Sequence, residues 1–403
     1  MLFSSLKKIK NISIVKWLFI NFIVMAFAGV VLRYMHVFPI DILNYQFIMH
    51  GHSHFAFSAW TFLAVVFLAI NELIGKDYSK AFKWILILTI VCSYCMLISF
   101  SVSGYKFASI LFSTLFLFIG YWFAISIYKK KNLQKLKNLN AVALFKAAIW
   151  FLVISSIGPL LLGYLGATEF DNRAILQNCI YFYLHFQMNG WLQLLVLALF
   201  FSKYISLSNS LQAGIKRWVY IFIISIIPVF LIFTLWSKPT IWYYVIAFIG
   251  ALLHMVSWFV IINNIKNLIK PLSLLAKIAL LAISLKVVFQ VLVCFPFIGE
   301  WTFFNRNLII GYVHLIMLGS VTPLIIDILT QNSIMKSTKQ LKHTNIFYVF
   351  VTCFYLTILF IQPFLLLFNI IIPYVESILL ISAILLMLVG ICYFRASLKV
   401  NLD

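Results

Sequence analysis

The chain has 403 residues, 64% of them hydrophobic and only 10% charged, with a formal charge of +21. Soluble domains carry about 25% charged residues, and so few charges could not screen this much apolar surface in water. A soluble fold is therefore excluded, and the basic excess needs an explanation other than nucleic-acid binding.

The apolar residues lie in continuous runs, which argues against the alternating pattern of a membrane β-barrel. Crossing a bilayer takes roughly 20 apolar residues in a helix. In chain order the runs predict spans at Trp17–Leu32, Tyr45–Leu73, Trp84–Val102, Ser109–Ile127, Ala147–Leu165 and Ile175–Phe201. They continue at Trp218–Trp236, Trp242–Ile262, Leu275–Phe295, Leu308–Leu329, Phe347–Phe368 and Val375–Phe394. The predicted fold class is all-α: a polytopic membrane protein, with residues 1–403 forming a single twelve-helix transmembrane domain. No small-residue cleavage site follows the first run, so it reads as a span rather than a signal peptide. The longest loops, as around Lys129–Asn140, leave no room for a soluble domain. No internal repeat is visible.

The basic residues give the orientation, because cytoplasmic loops concentrate Lys and Arg. With the N-terminus inside, 24 of the 30 fall on the cytoplasmic side, as in Lys7, Lys8, Lys10 and Lys16, then Lys76, Lys80 and Lys83, then Lys129, Lys130 and Lys131. The outer segments hold Arg33, Lys106, Arg173, Lys238 and Arg306, and Lys286 lies within the ninth span. A wrong helix count would scramble this alternation. Both termini are thus expected in the cytoplasm, in a multi-pass protein of the inner (cytoplasmic) membrane. The charge is topological and favours anionic lipid. The cysteines Cys92, Cys95, Cys179, Cys294, Cys353 and Cys392 fall mostly inside spans and read as small packing residues. No CxxCH motif for covalent haem is present.

Six of the eight histidines lie inside spans: His50, His52, His54, His185, His254 and His314. Ionisable residues in lipid are costly and mark functional sites. They sit on the second, sixth, eighth and tenth spans, which all run from outside to inside. His54 and His185 lie about ten residues into their spans, His254 about twelve and His314 about six, so at 1.5 Å per residue their depths agree within one to two turns. Neutral imidazole is the commonest metal ligand and brings no charge into lipid. Two facing imidazoles suit a haem iron; three suit copper or non-haem iron. Interhelical hydrogen bonding and proton relay are the bland alternatives. On the second span His50 and His54 share a face, while His52 points roughly 200° away from His50. Lys286, Gln290 and Asp327 are the other polar residues in or near the ninth and tenth spans. Lys286 reads either as a proton-path residue or as a lysine paired within the bundle.

Twelve helices with histidines on the second, sixth and tenth resemble the catalytic subunit of the haem-copper oxidase superfamily, the nitric oxide reductases included. The topology covers most of the chain, the motifs only three stretches. His50-Gly51 followed by Phe57 is similar to the second-helix segment that holds an axial ligand of the low-spin haem. Gly311-Tyr312-Val313-His314 is similar to the tenth-helix segment, in which a His-x-His pair serves the high-spin and low-spin haems; Tyr312 stands at the first position and His314 at the second. His185-Phe186-Gln187-Met188-Asn189-Gly190-Trp191-Leu192-Gln193 resembles the sixth-helix pattern of nitric oxide reductases, with Asn189 and Gln193 where that family has carboxylates. The family's His-His pair on the seventh helix has no counterpart between Trp218 and Trp236; His254 on the eighth is the substitute at hand. The resemblance implies a haem b on His50 or His54 and His314, with Tyr312 beside it. It leaves His185, His254 and His52 as ligands for copper or non-haem iron, and Asn189, Gln193 and Lys286 as polar lining. It implies electron transfer or handling of O2 or NO, a cytochrome c or quinol donor, and a small membrane-anchored subunit. If the chain is an enzyme, it is an oxidoreductase. A second resemblance, to NnrS-type membrane haem proteins, rests on His50-Gly51-His52-Ser53-His54. A non-haem metal or proton-coupled transporter, or a haem or copper assembly factor, would use the same histidines differently.

Overall fold

A computed structural model describes residues 2–72, 79–128, 138–168, 170–205, 209–266, 271–332 and 334–398, with side chains of the two amphipathic starts described from 14 and 214 onward. The loop lysines Lys76, Lys129, Lys130, Lys131, Lys135, Lys137, Lys270 and Lys399 lie outside the described residues. The described residues are helical, without a β-strand.

Twelve helices are long and apolar enough to cross a membrane: α1 (Ile14–Val37), α2 (Tyr45–Glu72), α3 (Lys80–Ser103), α4 (Phe107–Tyr128), α5 (Leu139–Ala167), α6 (Arg173–Tyr204), α7 (Gly214–Ser237), α8 (Ile241–Ile265), α9 (Leu274–Val293), α10 (Arg306–Gln331), α11 (Lys339–Leu366) and α12 (Val375–Leu398). The chain is a multi-pass membrane protein. Each helix matches a predicted span, and several run further than their apolar stretch. Lys146 and Lys203 thus sit on α5 and α6 rather than in loops, since long cationic stems can reach back to the interface from a helix end. Arg33 likewise belongs to α1 and not to an outer loop.

Three helices differ from the rest. The most apolar stretch of α6 is 94% buried, that of α2 78% and that of α10 72%, whereas the other nine range from 33% to 56%. A helix that shows one face to lipid stays half exposed, so α2, α6 and α10 are the enclosed ones. All three also leave α-helical geometry in their middle: π-helical turns span Ala56–Phe62 in α2, Phe186–Leu192 in α6 and Leu315–Val321 in α10. The π-turns begin directly after His185 and His314, and two residues after His54. Single π-turns inside α-helices occur frequently at functional sites. The histidines on every fourth helix are thus each followed by a π-turn.

The contacts group into two compact units. The first holds α1–α3, most of α4, the end of α10 from Ile325, α11 and α12. Here α1 lies along α12, with Phe19 stacked on Tyr393 (5.4 Å between centroids). A Cβ on Gly390 would stand 2.7 Å from Phe22 Cδ1, so only glycine permits this approach. The buried Arg33 guanidinium pairs with Glu376 of α12 (3.4 Å) and donates to the Tyr355 hydroxyl of α11 (3.1 Å). Asn21 of α1 donates to the Ala59 carbonyl (2.9 Å) and so satisfies a backbone acceptor within the α2 π-turn.

The second unit holds α5–α9 and α10 through Leu324. Asn138 caps α5 by accepting from the backbone N–H groups of Asn140 and Ala141, and it donates to the Phe201 and Ile205 carbonyls at the end of α6. A Cβ on Gly190 would lie 2.6 Å from Phe151 Cβ, which sets the close packing of α5 on the π-turn of α6. Pro228 ends the α-helical part of α7, whose last turns, Phe230–Ser237, are 3-10. The apolar core here includes Val229, Ile232, Leu235, Ala247 and Ala251.

Candidate functional site

In the first unit, α2 splays its three histidines as the helical period requires. His52 points to α1 and donates from Nδ1 to the Met25 carbonyl (3.0 Å), beside Gly29. His50 and His54 point the other way, to α3 and the turn after it. His54 stacks on Phe100 (4.1 Å, 8° between planes), and its Nε2 meets the Tyr105 hydroxyl at 3.1 Å. His50 lies edge-on to Tyr105 (4.7 Å), and its ring nitrogens hydrogen-bond to nothing among the described residues. Two glycines shape this cluster. A Cβ on Gly51 would sit 2.4 Å from Ser101 Oγ, so α3 can press on α2 between His50 and His52 only because that side chain is missing. Gly104 has φ +64°, a left-handed conformation that ends α3 and turns Tyr105 back to the histidines.

In the second unit, the predicted polar residues form a network. Asn189 is its hub. The Asn189 Oδ1 accepts from Lys286 Nζ (3.0 Å), Gln290 Nε2 (3.3 Å) and the Tyr312 hydroxyl (3.4 Å), and its Nδ2 donates to His185 Nδ1 (3.3 Å). Gln290 Nε2 also donates to the Tyr312 oxygen (2.8 Å). Gln193, one turn beyond Asn189, accepts from Ser320 of α10 (2.8 Å). Thus Asn189, Lys286, Tyr312 and His185, named from the sequence, do meet through Asn189 and Gln290, while Gln193 bonds to Ser320 instead.

The geometry decides which histidines can take a metal. His185 Nε2 donates to the Ile226 carbonyl (2.8 Å) while Nδ1 accepts from Asn189, so both nitrogens are spent. A metal needs one lone pair free. His254 stacks on Phe222 (4.2 Å) and places Nδ1 2.8 Å from Ser225 Oγ and 3.2 Å from the Phe222 carbonyl, leaving Nε2 buried without a partner. Among the described residues no group of three or more His, Cys, Asp or Glu is placed to hold a metal ion. Among the described residues His185, His254 and His52 do not appear as a group that could hold copper or non-haem iron: His185 has both nitrogens in hydrogen bonds, while His254 and His52 each hydrogen-bond through Nδ1. His314 donates from Nδ1 to the Ile310 carbonyl on its own helix (2.8 Å), which makes Nε2 its lone-pair nitrogen. Trp258, on the same face of α8 as His254, donates to Ser284 of α9 (2.9 Å) and so packs between helices.

No protein-family model matches the chain, and no curated protein has a matching sequence.

Proposed function

We propose that this is a haem-binding electron-transfer protein of the inner membrane, of the haem-copper oxidase kind, that keeps a low-spin haem site and has replaced the second metal site with a metal-free polar network. The observation that carries the reading is His50: an imidazole in a membrane span, with no hydrogen bond among the described residues, next to two histidines that are both held.

Two histidines, taken one at a time, have the chemistry of an axial ligand for a b-type haem. An axial ligand is a neutral imidazole whose other nitrogen donates to a fixed acceptor. His314, in the second unit, donates from Nδ1 to the Ile310 carbonyl, and His50, in the first, makes no ring hydrogen bond among the described residues. His54, stacked on Phe100 and bonded to Tyr105, serves as a wall of the site rather than as a ligand. A bound haem would supply one-electron exchange. Around His50 the protein's part is to orient the imidazole with the aromatic rings of Phe100 and Tyr105.

Copper and non-haem iron are left out of the proposal because His185 has both ring nitrogens in hydrogen bonds, and no catalytic step is assigned. The replacement of two carboxylates by Asn189 and Gln193 agrees with this, because neither amide can carry a proton as an acid. A cytochrome c or a quinol is the class of electron donor such a haem would take, and a small membrane-anchored subunit would be its partner.

The test is ligand replacement read by spectroscopy. His50→Ala and His314→Ala should each convert a bis-imidazole low-spin spectrum to a high-spin one or lose the haem, while His52→Ala and His54→Ala should keep it low-spin. An unchanged low-spin spectrum in His314→Ala would refute the assignment.

A further inference from the structure

The first unit gathers three donor side chains of which the haem reading uses one. His50 and His54 are four residues apart on the α-helical part of α2, before its π-turn begins. Residues at that spacing share a face, with Cβ atoms about 5–6 Å apart. Both rings also meet the same two aromatic rings, Phe100 of α3 and Tyr105 of the turn after it. Between ring centroids, His54 lies 4.1 Å from Phe100 and 6.1 Å from Tyr105, and His50 lies 6.3 Å and 4.7 Å from them. The two imidazoles thus flank the Tyr105 phenol together.

Each of the three can offer a lone pair. The Tyr105 hydroxyl stands 3.1 Å from His54 Nε2; when it donates there, Nε2 holds the lone pair and Nδ1 the proton. His50 makes no ring hydrogen bond among the described residues, so one of its nitrogens offers a lone pair in either tautomer. A hydrogen bond between two ligand atoms marks a place where a dication can stand instead of the proton. Two donors bound at about 2.0–2.1 Å lie about 2.9 Å apart at a right angle and about 3.4 Å apart in a tetrahedron. The 3.1 Å between Nε2 and the hydroxyl oxygen falls inside that interval.

The donors also select the ion. Two histidines one turn apart on a helix face are a chelating pair for zinc. Imidazole suits zinc, copper and nickel, whereas calcium and magnesium take oxygen ligands. Access agrees, because Tyr105 is 55% exposed at the end of α3 and both histidines are only partly buried, while the fully buried Phe100 closes the inner side. His52 takes no part, since it is held by the Met25 carbonyl on the opposite side of α2.

We infer that His50, His54 and Tyr105 form a binding site for a first-row transition-metal dication of the Cu2+ or Zn2+ type. The ion takes a lone pair from His50 and from His54 Nε2. The Tyr105 proton passes to water, the phenolate oxygen becomes the third ligand, and water fills the open position. The site differs from groups of three His, Cys, Asp or Glu, of which the described residues contain none, by taking its third ligand from a phenol. It stands on these contacts alone; only one consequence rests on the haem reading. His50 serves either the haem iron or the dication, so the ion occupies the haem-free chain.

The experiment is Cu2+ titration of the full chain, purified in detergent from cells without added haem and read by electron paramagnetic resonance and absorption. One equivalent should give a signal split by two imidazole nitrogens and a phenolate-to-copper charge-transfer band. His50→Ala and His54→Ala should each lose one nitrogen and weaken binding by more than the roughly tenfold that an outer-shell partner is worth. Tyr105→Phe should remove the band and keep both nitrogens, and His52→Ala should change neither. A wild-type signal without two nitrogens would overturn the site, as would one that His54→Ala leaves unaltered. If a histidine variant does not fold, Tyr105→Phe decides: a band it leaves in place would overturn the site. In haem-loaded chain the two-nitrogen signal should be missing. Its presence there would refute His50 as the haem ligand and leave the metal site standing.

Discussion

Replacing Asn189 with leucine would remove the hub of the buried network at nearly constant volume. Asn189 is 1% exposed, so solvent cannot take over its bonds. The Lys286 ammonium loses its acceptor at 3.0 Å, and His185 Nδ1 loses its donor at 3.3 Å. A buried neutral group left unpaired costs about 1–3 kcal/mol, and an ammonium costs about 3 kcal/mol or more, for a total of about 4–6 kcal/mol. Gln290 and Tyr312 still have each other and add little. The double variant Asn189→Leu/Lys286→Met has no stranded charge and should recover about 3 kcal/mol, the upper range of coupling between residues in contact. Asn189→Asp instead gives the ammonium a counter-ion and should be tolerated. The assay is equilibrium unfolding of the purified protein by SDS in mixed micelles, followed by tryptophan fluorescence. If Asn189→Leu unfolds within about 0.5 kcal/mol of wild type, or if the cycle with Lys286→Met is additive, Asn189 is not the hub.

Two further outcomes follow from the packing and the ionic contacts. Gly190→Ala should cost about 1–3 kcal/mol, because its Cβ would stand 2.6 Å from Phe151 Cβ. Gly163→Ala, with nothing within 4 Å, should gain about 0.5–1 kcal/mol from helix propensity; the same unfolding assay compares them. At the end of α7 the exposed Lys238 ammonium pairs with Glu300, whose hydrogen bond and, after it, negative charge raise the lysine above its ordinary value. The sign follows from linkage: the pair contributes below the unfolded lysine pKa and its contribution is lost as pH rises through the raised one. Glu300→Gln should therefore remove a small alkaline pH dependence of the thermal midpoint, and high salt should mimic it.

The residues themselves explain which features could be read from the sequence. Twelve spans were legible because lipid demands a long apolar run from every crossing, whatever its neighbours. The split of His50 and His54 from His52 was legible because it depends only on helical period. The π-turns were not, since the stretch Ala56–Phe62 looks like any apolar helix, and each inserted residue rotates everything beyond it. The Asn189 hub joins residues 97 and 101 positions apart, and the Arg33–Glu376 pair spans 343. No local pattern reports contacts at that range. His185 shows the cost: its motif suggested a metal ligand, while the Ile226 carbonyl that occupies its Nε2 belongs to another helix.

The most direct test of the central claim is the oxidised and reduced absorption spectrum of the full chain, purified from cells with ample haem, together with its haem and metal content. The account predicts a low-spin b-type spectrum, with haem in stoichiometric amount and no copper or non-haem iron. A purified, folded protein with no Soret band would contradict it.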